Sequence, residues 1–451
     1  MKKIISLLTV LTLVLSMLAV TAMNTLAAGE AVLGSGTEAD PYLIGSKEAL
    51  AAFAAAPVEG AFYKLTADIV WSEYKQGGTA PAESNWTPIV FDGTFDGDGH
   101  TVSGLYVKGA DTGVGFFGKA NGVIKNLTVK DSYFEGEKNV GGIVGSVGKV
   151  GTDKAAPESI TIENCVNYAD VTAKNTVAGI IGYPFGNTNS DNNHFITVTI
   201  SKCVNHGDVT GTEGNGYAGG IAGRLLAISA VIDQCANFGD VSAAGALAGG
   251  IVGQGGRNGA TEEPHKISNC YNAGKITATY LSGGIIGRAY ATPFDIENCV
   301  NVGAVVARTA GKANFGPIDG HSASTVKNSF YLEGSATNEA DATLVPTGTT
   351  TGTTAKALAD INSAATATAL GDKWEYNATD GLVLKFMATA SQAPETTTPS
   401  APETTAPSAP GTSAPTTQPA TPPATGDVSA VILAAVCVTG LAAVMVAKKK
   451  R

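Results

Sequence analysis

Five cysteines in the middle of the chain could bind a metal, form disulfides or stack as buried side chains. The steps between them are 38, 32, 35 and 29 residues, for Cys165, Cys203, Cys235, Cys270 and Cys299. Five is an odd number for disulfide pairing once Cys437 is assigned to an apolar segment near the C-terminus. Leu127 and Ser329 take the equivalent position at the two ends of the series. A position that accepts Leu or Ser favours a small buried side chain, so we interpret the five cysteines as free thiols in the interior. Disulfides between neighbouring coils and a metal site stay as alternatives.

Charged side chains also recur at fixed positions. Three aspartates lie five residues after a cysteine, and three acidic residues lie two residues before one: Asp170, Asp208 and Asp240, then Glu163, Asp233 and Glu297. Arg224 and Arg288 share a position just after a glycine motif, with Gln254 at that position between them. A polysaccharide lyase or glycosidase would need such groups clustered as acid and base or around Ca²⁺.

Recurrence with the repeat is typical of scaffold residues, so we interpret these charged groups as solvated turn residues. Weak Ca²⁺ binding by the acidic positions stays open. The histidines show neither metal-ligand nor triad spacing, at positions His100, His194, His206, His265 and His321. We therefore expect no catalytic residue, no resident metal and no cofactor.

One unit repeats around these residues from Gly122 onward. Each middle copy opens with a strand that leads into Asn, Lys or Gln, then Cys, an apolar residue and Asn. A short valine or isoleucine strand follows, and a Gly-x-apolar-Gly motif closes most copies. The recurring asparagines are Asn167, Asn205, Asn237, Asn272 and Asn301. Strands of this kind, punctuated by glycine and without helical periodicity, indicate a stacked β-architecture.

The sequence predicts an all-β fold, a right-handed parallel β-helix built from repeats of about 30 residues, with short capping helices at the ends. A propeller or a sandwich is the alternative. Because successive coils stack about 4.8 Å apart, each recurring residue becomes a column. We expect Ile and Cys columns inside, and an Asn column at a turn that tolerates left-handed backbone. Glycine is expected to supply positive φ at corners and to allow close approach of the coils.

Composition fits this architecture and excludes some partners. The chain has 451 residues, 56 of them Gly, only 15% charged residues and a formal net charge of −10. Its 29 Lys and Arg form no dense block, so a nucleic-acid partner is not expected, since phosphate binding needs a basic face.

The two ends of the chain indicate where the protein is sent. Residues 1–28 have two lysines, an apolar run and small residues before Ala28, which is the layout of a secretory signal peptide. Residues 392–421 are rich in Pro, Thr, Ser and Ala and are predicted to form an extended stalk. Residues 428–447 are apolar and long enough for a transmembrane helix, and a basic tail follows them at residues 448–451.

The segment just before that apolar run resembles the cell-wall sorting signal of Gram-positive surface proteins. Its residues are Pro422, Pro423, Ala424, Thr425 and Gly426, with Pro422 where the usual pattern has Leu. The resemblance implies that a sortase cuts between Thr425 and Gly426 and joins Thr425 to peptidoglycan, after transient membrane retention. The implied partners are thus sortase and peptidoglycan, and the implied location is the cell wall of a secreted protein.

The repeated block resembles the GLUG-repeat proteins of bacterial surfaces, on the glycine motifs and on segments such as Gly36–Ile44 and Phe91–His100. We divide the chain into a signal peptide (1–28), an N-terminal cap (29–60), a β-helix (61–334), a C-terminal cap region (335–391), the stalk (392–421) and the sorting signal (422–451). Ser46 is predicted to cap a helix over residues 47–55, and a helix over 355–370 and a strand over 382–386 are predicted further on.

Together these features favour a non-enzymatic, wall-anchored adhesin or binding rod, with host glycans or matrix proteins as candidate ligands. A β-helix polysaccharide lyase or glycoside hydrolase is the first alternative. A passive structural spacer is the second.

Overall fold

The computed structural model describes residues 33–148, 158–184, 196–214, 216–227, 229–245, 247–256, 265–290, 294–309, 314–321, 324–346 and 351–391. The predicted signal peptide, stalk and sorting signal lie outside the described residues. Within them the chain winds into a parallel β-helix, which confirms the predicted fold class.

The first coils contain the longest strands. The elements in chain order are β1 (Tyr42–Ile44), α1 (Lys47–Ala55), β2 (Ala61–Leu65), β3 (Ile69–Val70), β4 (Ile89–Asp96), β5 (Thr101–Ser103), β6 (Tyr106–Val114), β7 (Phe117–Lys125), β8 (Thr128–Lys130), β9 (Tyr133–Gly141) and β10 (Val144–Val147).

The cysteine-containing coils follow with shorter strands. They are β11 (Glu158–Glu163), β12 (Val166–Asn167), β13 (Asp170–Ala173), β14 (Thr176–Ala178), β15 (Ile181–Tyr183), β16 (Ile196–Ser201), β17 (Val204–Asn205), β18 (Val209–Gly211), β19 (Tyr217–Gly219), β20 (Ala222–Leu225), β21 (Ser229–Asp233), β22 (Ala236–Asn237), β23 (Val241–Ala243), β24 (Leu247–Gly249), β25 (Val252–Gly256), β26 (His265–Ser268), β27 (Tyr271–Asn272), β28 (Ile276–Ala278), β29 (Leu281–Gly283), β30 (Ile286–Tyr290), β31 (Phe294–Glu297), β32 (Val300–Asn301) and β33 (Val305–Ala307).

The last described elements finish the coils and add a small unit beside them. They are β34 (Phe315–Gly316), β35 (Thr325–Lys327), β36 (Ser329–Leu332), β37 (Ala336–Asn338), β38 (Thr353–Lys356), α2 (Leu358–Ile361), α3 (Ala364–Leu370), β39 (Trp374–Asn377), β40 (Gly381–Leu384) and α4 (Lys385–Ser391).

Three long parallel sheets enclose the core. Sheet 1 has 15 strands and branches at β7, which pairs with β10 through its first half and with β11 through its second. Sheet 2 has 10 strands, from β3 to β38. Sheet 3 has 13 strands and branches in the same way at β9. Each repeated coil therefore runs through sheet 1, sheet 2, both branches of sheet 3 and back to sheet 1.

Apolar columns fill the interior because the repeat brings the same residue to the same place in each coil. All members of two such columns are at most 1% exposed: Ile162, Ile200, Ile232, Ile267 and Ile296, and Val171, Val209, Val241, Ile276 and Val305. Burying an aliphatic side chain of this size contributes roughly 1.5–3 kcal/mol, so the columns provide a large share of the stability.

Helix α1 closes the N-terminal end of the coils. It spans the predicted residues, and the Ser46 hydroxyl accepts a hydrogen bond from the Ala49 N–H at 3.2 Å, which confirms the predicted cap. Phe53 of α1 is fully buried, with its ring centroid 5.4 Å from those of Phe91 and Phe95. The helix thus covers apolar residues that an open coil end would expose.

The C-terminal region differs from the prediction in place and in bounds. The parallel ladder continues past residue 334, since β37 pairs with β33 and β38 with β36. The predicted helix over 355–370 is broken into α2 and α3, where Ser363 caps α3 through the Thr366 N–H. The predicted strand over 382–386 is β40, which ends at Leu384.

This helix and hairpin unit packs against the outer face of sheet 2 rather than over the end of the coils. Ile361, Leu370 and Trp374 form a second apolar core with outward residues of sheet 2, among them Val204 and Val300. The physical reason is that these sheet 2 residues are apolar on their outer side and need a cover.

Candidate binding surface

The asparagine column is buried and forms a continuous hydrogen-bonded ladder. Each side-chain Nδ2 donates to Oδ1 of the next asparagine along the rod, at 2.9, 2.8, 2.8 and 2.7 Å from Asn167 to Asn301. Each Nδ2 also donates to the backbone carbonyl two residues on, at 2.8–3.0 Å. The ladder therefore satisfies buried amide groups and fixes the register of five coils.

Left-handed backbone occurs at another position than the predicted one. The asparagine ladder has no positive φ, whereas the residue just before each cysteine does, with φ of 51° at Asn164, 52° at Lys202 and 55° at Gln234. The αL turn thus lies three residues before the ladder. Its side chains are also linked between coils where they are amides, as in Asn164 Nδ2 to Asn126 Oδ1 at 2.9 Å.

The glycine motifs make room for the asparagine ladder. A Cβ on Gly220 would lie 2.3 Å from Cγ of Asn237 and 2.1 Å from the Gly250 carbonyl oxygen. The same close approach to an asparagine side chain occurs in the other coils, at Gly142 with Asn167, Gly179 with Asn205, Gly250 with Asn272, and Gly284 with Asn301. None of these glycines has a positive φ, so only the close-approach half of the predicted glycine role applies here.

The five column cysteines are fully buried free thiols. Each Sγ lies 3.1–3.5 Å from the carbonyl oxygen two residues earlier, and Ser329 Oγ makes the same contact at 2.9 Å. Burial raises the pKa of the Cys165, Cys203 and Cys270 thiols well above the usual value. These three thiols are thus held as neutral donors to backbone carbonyls.

The recurring carboxylates hold the coils together. The Asp170 carboxylate accepts the Asp208 N–H at 2.8 Å, Asp208 accepts from Asp240 at 2.9 Å, and Asp240 accepts from Lys275 at 2.9 Å. Burial and the neighbouring aspartates raise the pKa of Asp208. Among the described residues, no three His, Cys, Asp or Glu side chains come together in a way that could hold a metal ion.

Two members of the second acidic set, Glu163 and Asp233, have equally local partners. Glu163 forms an ion pair with Lys202 at 3.2 Å, and Asp233 accepts hydrogen bonds from Ser268 and Asn269 at 2.7 Å. These groups are engaged with the neighbouring coil, so they do not form the converging acid and base pair of a glycosidase.

Three rings stack on the outside of the rod beside the asparagine ladder. The His206 ring lies between Tyr168 and Phe238, with centroid distances of 4.5 and 5.0 Å and interplanar angles of 4° and 9°. Burial lowers the pKa of His206 to about 4. This histidine is therefore a neutral stacking residue near pH 7.

A different surface brings side chains of three residue types together at the corner where sheet 3 meets sheet 1. We define the corner strip as Tyr183, Tyr217, Arg224, Gln254, Arg288 and Tyr290. Arg224 pairs in register with Gln254 and Gln254 with Arg288, and the pairing of Ile181 with Ala222 puts Tyr183 beside Arg224.

Aromatic rings hold the guanidinium groups of the corner strip. The Arg224 guanidinium carbon lies 4.7 Å from the ring centroid of Tyr217 and 5.2 Å from that of Tyr183, and Arg224 Nε donates to Gln254 Oε1 at 2.9 Å. Arg288 lies 4.7 Å from the Tyr290 ring. Burial raises the pKa of Tyr183 to about 12, against the opposing effect of Arg224. The phenol is therefore neutral at ordinary pH.

The corner strip is the candidate binding surface, because partly exposed guanidinium groups lie beside tyrosine ring faces. Gln254 is itself buried and positions Arg224 by accepting its hydrogen bond. The sequence indicated that Arg224, Gln254 and Arg288 share a position, but not that the tyrosines join them. Tyr217 comes from β19 of sheet 3. On β15 of sheet 1 the inward and outward alternation is interrupted, since Ile181 is fully buried whereas Tyr183, two residues on, is partly exposed.

Comparison with known proteins agrees with the fold. A crystal structure of a candidate immunoglobulin A1 protease from Bacteroides ovatus superposes with a TM-score of 0.51 and 20% identity, covering 80% of this chain and 96% of that one. Halomucin of Haloquadratum walsbyi is 33% identical over 168 residues, which is 33% of this chain and 2% of halomucin. The chain thus spans a small part of that relative. No family model matches the sequence.

Proposed function

We propose that the protein is a secreted, wall-anchored surface rod of a Gram-positive bacterium that binds ligands without catalysing a reaction. The observation that carries the proposal is the order of the C-terminal segments. Pro422–Gly426 are followed by the apolar run 428–447 and the basic tail 448–451, as in sortase substrates. All of these lie outside the described residues.

Several features of the described region support a binding rod. The recurring carboxylates are engaged between coils, and the corner strip presents its side chains along the rod rather than in one pocket. Stacked coils of this kind form extended binding surfaces. Within the described part of the chain, no helix has the length and apolar character needed to span a bilayer.

Replacement of one threonine tests the anchoring. Thr425→Ala should move the protein from the wall fraction to the membrane or the medium, because it alters the recognised sequence at the residue whose acyl group is transferred. In that step the bond from Thr425 to Gly426 breaks, Gly426 leaves as the new amino terminus, and the Thr425 carbonyl carbon forms an amide bond with an amino group of peptidoglycan. Thr421→Ala lies just outside the pentapeptide and should fractionate like the unaltered protein. Unchanged wall fractionation of Thr425→Ala would overturn the anchoring proposal.

Product analysis tests the non-enzymatic part of the proposal. The purified full chain is incubated with a panel of glycans, and reducing ends and unsaturated sugars are measured over time. No release above a heat-denatured control is expected. Release of either product would establish the lyase or hydrolase alternative instead.

A further inference from the structure

The corner strip is a local exception in an acidic protein. The chain carries a net charge of −10, yet the outward column through the strip reads Lys119, Ser146, Tyr183, Arg224, Gln254 and Arg288, without a carboxylate. Cations gathered on one line of an otherwise negative rod raise the local concentration of an anionic ligand. The charge pattern therefore favours an anion as the ligand.

The guanidinium groups of Arg224 and Arg288 are positioned by tyrosine rings but form no ion pair with a carboxylate of the described residues. None of the ion pairs between described residues includes Arg224 or Arg288. Within the same part of the chain, Arg288 Nε is shielded from solvent and has no hydrogen-bond partner. Because a guanidinium presents a rigid fork that fits a carboxylate, arginines fixed by tyrosine rings are preorganised for that group.

The tyrosines add surfaces that suit sugars. Tyr290 is 38% exposed and Tyr217 is half-buried, so each presents part of a ring beside a guanidinium. A tyrosine offers an apolar face and a hydroxyl, which match the C–H faces and hydroxyl groups of a sugar ring. The combination favours a charged sugar over a phosphate ion or a small acid.

The spacing of the arginines favours a polymer. Arg224 and Arg288 are two coils apart, which is roughly 10 Å at about 4.8 Å for each coil. We propose that the corner strip binds a carboxylated polysaccharide that runs along the rod, with Arg224 and Arg288 each pairing with a sugar carboxylate. This inference rests on the proposed function and specifies its ligand class.

Pectin provides a probe in which only the charge changes. Binding of the full chain to de-esterified polygalacturonate is compared with binding to the same polymer after methyl esterification. Binding should be at least about tenfold tighter to the de-esterified polymer and should weaken as salt is added. A second arm compares mucin before and after sialidase, which distinguishes a sialylated glycan from a uronic acid polymer as the source of the carboxylate.

Matched variants locate the binding. Arg224→Gln with Arg288→Gln should weaken binding to the charged polymer at least about tenfold, and Arg224→Lys should give an intermediate loss because the charge stays and the fork is lost. Arg308→Gln removes the same charge at the position just after β33, where Arg308 pairs with Glu339 at 3.4 Å, and should leave binding unchanged. A thermal melt of each variant shows that it is folded.

Equal binding to esterified and de-esterified polymer, or no binding to any carboxylated glycan, would overturn the inference. An equal loss in Arg308→Gln would also overturn it, because the effect would then be general charge. Wall fractionation is measured on separate cells and does not depend on these arginines. A failure of this inference is therefore distinguishable from a failure of the anchoring proposal.

Discussion

Replacing Asn237 by alanine should destabilise the rod strongly, because it removes a central rung of the asparagine ladder. Asn237 accepts from Asn205 at 2.8 Å, donates to Asn272 at 2.8 Å and donates to the Gly239 carbonyl at 2.9 Å. The substitution thus leaves three buried polar groups without these partners. At about 1–3 kcal/mol for each orphaned group, and allowing for non-additivity, the expected loss is about 3–6 kcal/mol.

The end of the ladder provides a graded comparison. Asn301 accepts from Asn272 at 2.7 Å and donates to the Gly303 carbonyl at 3.0 Å, so Asn301→Ala removes two of these contacts rather than three. It should cost about 1–3 kcal/mol less than Asn237→Ala. Ser242→Ala, on the outer side of sheet 3 in the same coil, should change stability by less than about 0.5 kcal/mol.

Urea unfolding followed by tryptophan fluorescence and circular dichroism measures these differences. The curves are fitted together, because stacked coils need not unfold in one step. A loss below about 1 kcal/mol for Asn237→Ala, or an equal loss for the two asparagines, would refute the idea that the ladder holds the coils.

Three further outcomes are expected from the same structure. Gly220→Ala should lower the free energy of unfolding by at least about 2 kcal/mol, because the new Cβ would meet Asn237 and the Gly250 carbonyl. Gly214→Ala should be nearly neutral, because the space around its Cβ is open. Equal urea midpoints for the two variants would contradict this prediction. The pKa of His206 is about 4 in the folded chain and about 6.5 when unfolded. The free energy of unfolding should therefore be unaffected by His206 above about pH 6.5 and should fall by on the order of 2–3 kcal/mol between pH 6.5 and 4. His206→Phe should flatten that pH dependence, and an NMR titration of His206 with a midpoint above 6 would be inconsistent with the buried stack. The column cysteines should not react with a thiol reagent in the native chain, and all five should carry an alkyl label after unfolding without reductant, so any unlabelled pair would reveal a disulfide.

The sequence predicts the coils well, because a residue type that recurs once in each repeat must stack on its equivalents when the repeats form successive coils. The apolar columns and helix α1 with its Ser46 cap follow from local pattern and from the number of strands in each repeat. The αL turn was predicted at the wrong asparagine, at Asn167 rather than at Asn164. Asparagine is typical of turns at either position, so residue type does not separate them. Burial and backbone conformation distinguish them, since Asn167 is fully buried and Asn164 is exposed with a φ of 51°.

Features that depend on contacts between different strands could not be predicted in the same way. The lateral docking of α2, α3 and the β39–β40 hairpin depends on which side of sheet 2 carries Val204 and Val300. The corner strip depends on the interrupted alternation of β15 and on the approach of Tyr217 from sheet 3 to Arg224 on sheet 1. Neither relation is visible in the spacing of one repeat.

The wall-anchored state itself can be measured from the C-terminus of the mature protein. The protein is released from purified cell walls with a muramidase, and its C-terminal peptide is sequenced by mass spectrometry. The proposal predicts a chain that ends at Thr425, amide-linked to a peptidoglycan peptide. A wall-derived chain that ends elsewhere, or that still carries residues up to Arg451, would contradict it.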